Sequence, residues 1–344
     1  MSRAVRWLVA LIGVAILMAA SDYAPQVLDD YMVRVLIVMC INALLVSSLA
    51  LGNGFTGVFS IGHVGFVAVG AYVSGILALP VAAKASLLPD LPSWLATWSI
   101  GFLPSTIAGG LVCVVLAFLV GAPLMRLSGH FVSVATLGFL IIVNVVLINA
   151  DDVTRGARTF TGVPVETTLP WAVGWLVVTV TVLARIVYAP TGRAYRAVRE
   201  DTIAAQAIGL DVLPTRLSAF VLGAFFAGVG GSLYGHYLGS FSPKSFYLQY
   251  TFLLVSMLVI GGMGSLTGSL VGVVAVTLLS EVRRNLERGL AFGVVTVPPR
   301  YGAAQIVLGV IFIFFMIFRP SGALGDRELR LGWLLGRRNS SERT

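Results

Sequence analysis

Few residues in this chain carry groups that do chemistry, and the most conspicuous is His63. It stands in the stretch 52–72, GNGFTGVFSIGHVGFVAVGAY, among Asn53, Thr56 and Ser60. An imidazole in apolar surroundings relays a proton, ligates a metal, or locks two helices as a neutral hydrogen-bonding partner. No Cys, Asp, Glu or second His stands at ligand spacing, and His130 and His236 flank other apolar runs, so the locking role is favoured. Cys40 and Cys113 lie inside separate apolar runs and read as small packing residues, not as a disulfide or a metal site. A GxxxxGK(S/T) phosphate loop is absent, since neither Lys84 nor Lys244 follows a glycine, and so are GxSxG and HExxH. A carrier driven by protons or sodium usually holds a carboxylate within a span, yet every Asp and Glu here falls in a loop or at a span end. No catalytic, cofactor or metal site is therefore expected, and any energy must arrive from outside the bilayer.

The elements that would position these groups are apolar helices. Of 344 residues, 58% are hydrophobic and 11% charged, and the mean hydropathy is +0.95. Soluble domains carry roughly a quarter charged residues, so the composition fits a polytopic membrane protein. The net charge of +8 then belongs to loops and tails, which leaves no folded basic face for nucleic acid. Apolar segments near 4–20, 31–51, 57–79, 98–121, 131–149, 171–189, 216–238, 246–262, 264–282 and 301–318 predict a bundle of about ten transmembrane helices. Arg3 and Arg6 before the run 7–20 also suit a signal peptide, but the apolar run soon after and the lack of a cleavage site before Asp22 favour an uncleaved first span. An even count with the N-terminus inside puts both termini in the cytoplasm. Arginine and lysine then divide fourteen inside to nine outside, with Arg283, Arg284 and Arg288 outside against the trend. Residues 1–320 form one transmembrane domain in this reading, and 321–344 a polar, basic cytoplasmic tail.

Two stretches depart from plain spans. In 52–72, Gly52, Gly54, Gly57, Gly62, Gly65 and Gly70 accompany the polar residues, which predicts a broken or re-entrant helix buried in protein, with Gly52, Asn53, Gly57, Ser60, Gly62 and His63 at the break or along a translocation path. Residues 191–216 are too polar for the membrane. Arg193, Arg196, Arg199 and Glu200 recur at helical spacing, Asp201 suits an N-cap, Gly209 suits a helix end, and Ala204 and Ala205 would let another surface approach closely. Together they predict a helix–turn–helix on the membrane surface. Charge alone does not separate a docking element from a solvated loop whose arginines fix orientation. Two glycine sets four residues apart, at 231, 235 and 239 and at 264, 268 and 272, predict helix faces packed inside the bundle.

The segment GRAYRAVREDTIAAQAIGLDV resembles the cytoplasmic coupling segment of ABC-importer permeases of the branched-chain amino-acid, LivM-like family. The EAA-type pattern is matched at Ala204, Ala205 and Gly209, while Ile203 stands where the name-giving glutamate would be, a departure from the general importer pattern. The pattern GxTGxxSxGHxxFxxxGAY in 54–72 resembles the family's signature, and MLVIGGMGSLTGSLVG and FRPSGALG resemble its C-terminal stretches. The resemblance implies a non-catalytic permease subunit in a bacterial inner membrane, importing branched-chain amino acids or related small polar solutes. It also implies two ATP-binding subunits, a second, LivH-like permease and an extracytoplasmic substrate-binding protein as partners. In that frame Gly192, Arg193, Arg196, Arg199, Glu200, Asp201, Ala204, Ala205 and Gly209 of segment 191–213 form the ATPase-coupling element. A stand-alone secondary transporter or channel remains the other class, with 191–213 an ordinary loop.

Overall fold

A computed structural model describes residues 3–127, 129–287, 291–292, 295–296, 322–323 and 325. The expected span at 301–318 and nearly all of the tail at 321–344 lie outside the described residues. The chain is almost wholly helical: α1 (Arg3–Val27), α2 (Asp30–Ala50) continued by a wide turn (Leu51–Phe55), α3 (His63–Ala78), α4 (Val81–Leu87), α5 (Ser93–Ala96) and α6 (Phe102–Leu124). There follow α7 (His130–Asn149), α8 (Asp151–Thr154), α9 (Leu169–Tyr188), α10 (Pro190–Glu200), α11 (Thr202–Ala207), α12 (Val212–Leu238), α13 (Leu248–Gly261) and α14 (Leu266–Glu287). Among the described residues, six helices are long and apolar enough to cross a membrane, or seven if α3 and α4, which meet at 115°, are one span. Successive long helices alternate in direction, so 52–62, 189–211 and 262–265 gather at one end of the bundle and 80–100, 150–168 and 239–247 at the other.

The core is held by backbone contact as much as by side chains. Helices α3, α6 and α12 cross at Gly70, Gly109 and Gly228, where a Cβ on Gly70 would fall 2.1 Å from the Gly228 carbonyl oxygen. Without a hydrophobic driving force between helices in lipid, such close approach supplies the packing. Cys113 closes the crossing, fully buried, its Sγ 3.2 Å from the Phe66 carbonyl. At the far end the strands β1 (Phe160–Thr161) and β2 (Ser240–Phe241) pair antiparallel, and Phe160 and Phe241 pack with Tyr72. Lys84 is buried there, donating to the carbonyls of Leu95 and Trp98 and pinning the segment after α4.

The four-residue glycine spacing marked faces only in part. Gly231 lies against the Val67 backbone, and Gly268 and Gly272 lie against the backbone of α13. Gly239 instead stands past the end of α12 at φ +66°, and Gly264 lies in the turn before α14. A glycine that ends a helix and one that packs on its face share the same spacing, so the pattern does not separate them.

Candidate functional site

Between α9 and α12 the chain turns on its surface as two short helices. Pro190 opens α10 with its ring already set for the first turn, and Gly192 lies where a Cβ would be 2.0 Å from the Val187 carbonyl oxygen. Asp201 ends α10 in extended backbone and caps α11, its Oδ1 accepting from Ile203 N at 2.8 Å and Ala204 N at 3.1 Å. Gly209, at φ +83°, closes α11, with Leu210 N donating to the Ala205 carbonyl at 3.0 Å. The inward side of α10 is Gly192, Tyr195 and Val198, and Tyr195 Oη lies 3.1 Å from Ser218 Oγ on α12.

The arginines of α10 do not form one exposed row. Arg193 and Glu200 face outward, but Arg196 is half-buried and donates through Nη2 to the Val187 carbonyl at 3.1 Å. The last carbonyls of a helix lack intrahelical partners, and Val187 lies at the end of α9, which draws the guanidinium back. Arg199 reaches further. Its Nη1 donates to the Gly54 carbonyl at 2.9 Å, while Nη2 and Nε hold Glu200 Oε1 at 2.7 and 3.0 Å.

Gly54 lies in the wide turn that extends α2, and from there to Gly62 the backbone leaves the α-helix. Gly57 takes φ +70° with the Arg199 side chain against it: a Cβ there would meet Arg199 Cγ at 3.0 Å. Buried backbone groups freed by such a break must find partners. Asn53 supplies two, accepting from Ser60 N at 2.9 Å and donating to the Ser60 carbonyl at 3.2 Å. Thr56 Oγ1 donates to the Gly52 carbonyl at 2.8 Å, as does Val58 N at 3.2 Å. From α7, Thr136 Oγ1 accepts from Ile61 N at 3.1 Å, and Ser133 Oγ donates to the Phe59 carbonyl at 2.8 Å. The Ser60 hydroxyl is buried and has no hydrogen-bond partner among the described residues.

The turn between α13 and α14 seals the same place. A Cβ on Gly54 would stand 1.7 Å from the Met263 carbonyl oxygen, and Ala323 N donates to the Ile260 carbonyl at 2.8 Å. Thus 52–62, α10 and the 262–265 turn, far apart in sequence, meet at one end of the bundle, with residues 322–323 on the 260–262 backbone beside that turn. The spacing of residues gave no sign of the Arg199–Gly54 contact.

His63 opens α3 beside this junction. Its Nε2 lies 2.9 Å from Ser48 Oγ, which donates its one proton to the Leu45 carbonyl at 2.8 Å, so Nε2 carries the hydrogen that Ser48 accepts. The ring thereby ties α3 to α2. No group of three or more metal-ligating side chains occurs among the described residues.

The outward side of the surface pair differs from the alanine face that the spacing predicts. Ala204 is exposed, but Ala205 is only 2% exposed and points into the protein. The Asp201 cap fixes where α11 starts, and with it the phase that turns position 205 inward. The residues that stand out are Ile203 and Ile208, 77% and 74% exposed.

A helical chain with several apolar spans, carrying a capped surface helix pair braced against an interrupted span, is an all-α, multi-pass membrane protein. Residues 31–317 match the family described as branched-chain amino acid transport system, permease component, and the chain belongs to that family. It is 27% identical over 305 residues to the high-affinity branched-chain amino acid transport system permease protein LivM of Salmonella typhimurium, and 26% identical over 305 residues to LivM of Escherichia coli K12. Each alignment covers 79% of this chain and 64% of the relative, so the chain spans slightly less than two thirds of the relatives' length. The permease protein LivH of Escherichia coli K12 is 27% identical over 161 residues, 46% of this chain and 48% of that one. No solved structure matches the chain.

Proposed function

We propose that this chain is the transmembrane permease subunit of an ATP-driven ABC importer for branched-chain amino acids or related small polar solutes. It catalyses no reaction itself: two ATP-binding subunits dock on α10 and α11 at the cytoplasmic end, a LivH-like permease completes the pathway, and an extracytoplasmic binding protein delivers substrate to the far end. Closure of the ATPase pair pushes α10, and the push passes through Arg199 to the break at 52–62 and through Tyr195 to α12. The broken stretch is where the bundle changes between outward and inward openings, with both termini on the ATPase side. The observation that carries this reading is the Arg199–Gly54 hydrogen bond, because it joins an exposed, apolar-tipped surface helix pair directly to a stretch at 52–62 where the backbone leaves the α-helix.

Docking is tested at the exposed tips. Burying an isoleucine side chain in a partner contributes about 1.5–3 kcal/mol, so Ile203→Asp and Ile208→Asp should each strip the ATPase subunits during co-purification and abolish ATP-dependent leucine uptake into proteoliposomes. Both positions are exposed in the isolated chain, so its thermal unfolding should not change. Full ATPase retention and uptake in both variants would show that α11 is a loop with no docking role.

A further inference from the structure

We propose that a slot between α2, α12, α13 and α14, at the end of the bundle away from α10, is an amino-acid site within the permease itself, holding a zwitterion between Arg34 and Glu281. The proposal rests on the importer reading and names where its cargo sits in this chain. The slot has a volume of about 400 Å3, within the range of small-molecule sites, roughly 300–1,000 Å3.

Its chemistry is sorted along its depth. At the mouth stand Tyr31 and Arg34 on α2 and Glu281 on α14, and Tyr31 Oη donates to Glu281 Oε2. Among the described residues Arg34 and Glu281 form no ion pair with each other, so opposite charges line one opening without cancelling. Arg34 is exposed and Glu281 half-buried, so both charged heads are open to a ligand entering at this end of the bundle. A carboxylate beside Arg34 and an ammonium beside Glu281 would answer both, and an α-amino acid carries the two on one carbon. Deeper in, Val35, Val38, Leu253 and Met257 form apolar walls suited to an aliphatic side chain. The slot reaches Asn42, buried, whose Oδ1 accepts from Tyr250 Oη at 2.9 Å. From Tyr31 to Asn42 is eleven residues of α2, or about 16 Å along the helix. Thr277, on the wall contributed by α14, adds a hydroxyl-bearing residue to the slot's lining. A phosphoethanolamine lipid headgroup has the same paired charges but no short aliphatic branch to fill the walls.

The chain with its companion subunits in phosphatidylglycerol nanodiscs, without the binding protein, should bind radiolabelled leucine at equilibrium. Leucinamide, which lacks the carboxylate, and 4-methylpentanoate, which lacks the ammonium, should each compete at least tenfold more weakly than leucine. Arg34→Gln should weaken leucine binding tenfold or more and erase its advantage over leucinamide. Glu281→Gln should do the same with respect to 4-methylpentanoate. The wild-type competition order needs no variant to fold, and equal thermal unfolding midpoints validate the variants. Absence of leucine binding to the wild type, competition by phosphoethanolamine as strong as by leucine, or unchanged discrimination in both variants would overturn the site. ATP-driven uptake by the full assembly is read separately: its presence alongside any of those results leaves the importer reading standing while the slot falls.

Discussion

Replacing Arg199 by alanine severs the joint between α10 and the interrupted span while leaving both elements in place. The Gly54 carbonyl belongs to a buried residue and accepts a charge-assisted hydrogen bond of 2.9 Å. Bonds of that kind contribute about 1.5–3 kcal/mol. The second contact, to Glu200, is a surface pair whose side chains are 25% and 69% exposed, worth at most about 1 kcal/mol. Arg199→Ala should therefore cost the joint about 1.5–3 kcal/mol, which is roughly ten- to hundredfold in whatever equilibrium that joint biases. In proteoliposomes holding the whole assembly, leucine taken up per ATP hydrolysed should fall by that factor, with ATPase subunits retained and ATP turnover continuing. Glu200→Ala removes only the weaker contact and should change the ratio less than fivefold. Arg193→Ala, on the outward side, should leave it unchanged. Uptake per ATP at the wild-type level in Arg199→Ala, or an equal loss in Glu200→Ala, would refute the transmission route.

Gly54→Ala would place a methyl group 1.7 Å from the Met263 carbonyl, and since backbone cannot swing aside, the cost should reach about 3 kcal/mol or more, visible as a lowered unfolding midpoint in detergent. Gly209→Val meets nothing within 4 Å but forces a branched residue to φ +83°, about 1–2 kcal/mol confined to α11; uptake should drop while the unfolding midpoint of the isolated chain holds, and a global loss of stability would contradict a local role. In a cysteine-free chain, a single cysteine at Asp90 should react with an impermeant thiol reagent in intact cells and one at Gln206 should not; reaction at both, or the reverse pattern, would break the assigned orientation.

The helical, multi-pass character was legible in the sequence because long apolar runs need only composition to be recognised. The caps at Asp201 and Gly209 were legible too, since each acts on backbone groups within a few residues. The inward turn of Ala205 was not, because the phase of a six-residue helix is set by its neighbours' packing. Arg196 and Arg199 looked alike by spacing. They differ because one finds the end of α9 and the other a carbonyl 145 positions away. The slot drew on Arg34 and Glu281, which separately look like ordinary span-end charges until folding sets α2 beside α14.

The crossing of α3, α6 and α12 at Gly70, Gly109 and Gly228 sets the gearing of the whole molecule. Backbone lies on backbone there, with no flexible side chain between to take up slack, and close-packed contacts of this kind shift as a unit or not at all. The three helices therefore behave as one stiff beam. Its longest member, α12, has 27 residues and measures about 40 Å. A tilt of about 5° imposed at the Val212 end would sweep the Leu238 end through roughly 3.5 Å, wider than a water molecule. In the proposed importer, a rotation imposed at the surface helices would be carried along the beam to the far end without bending any helix in it.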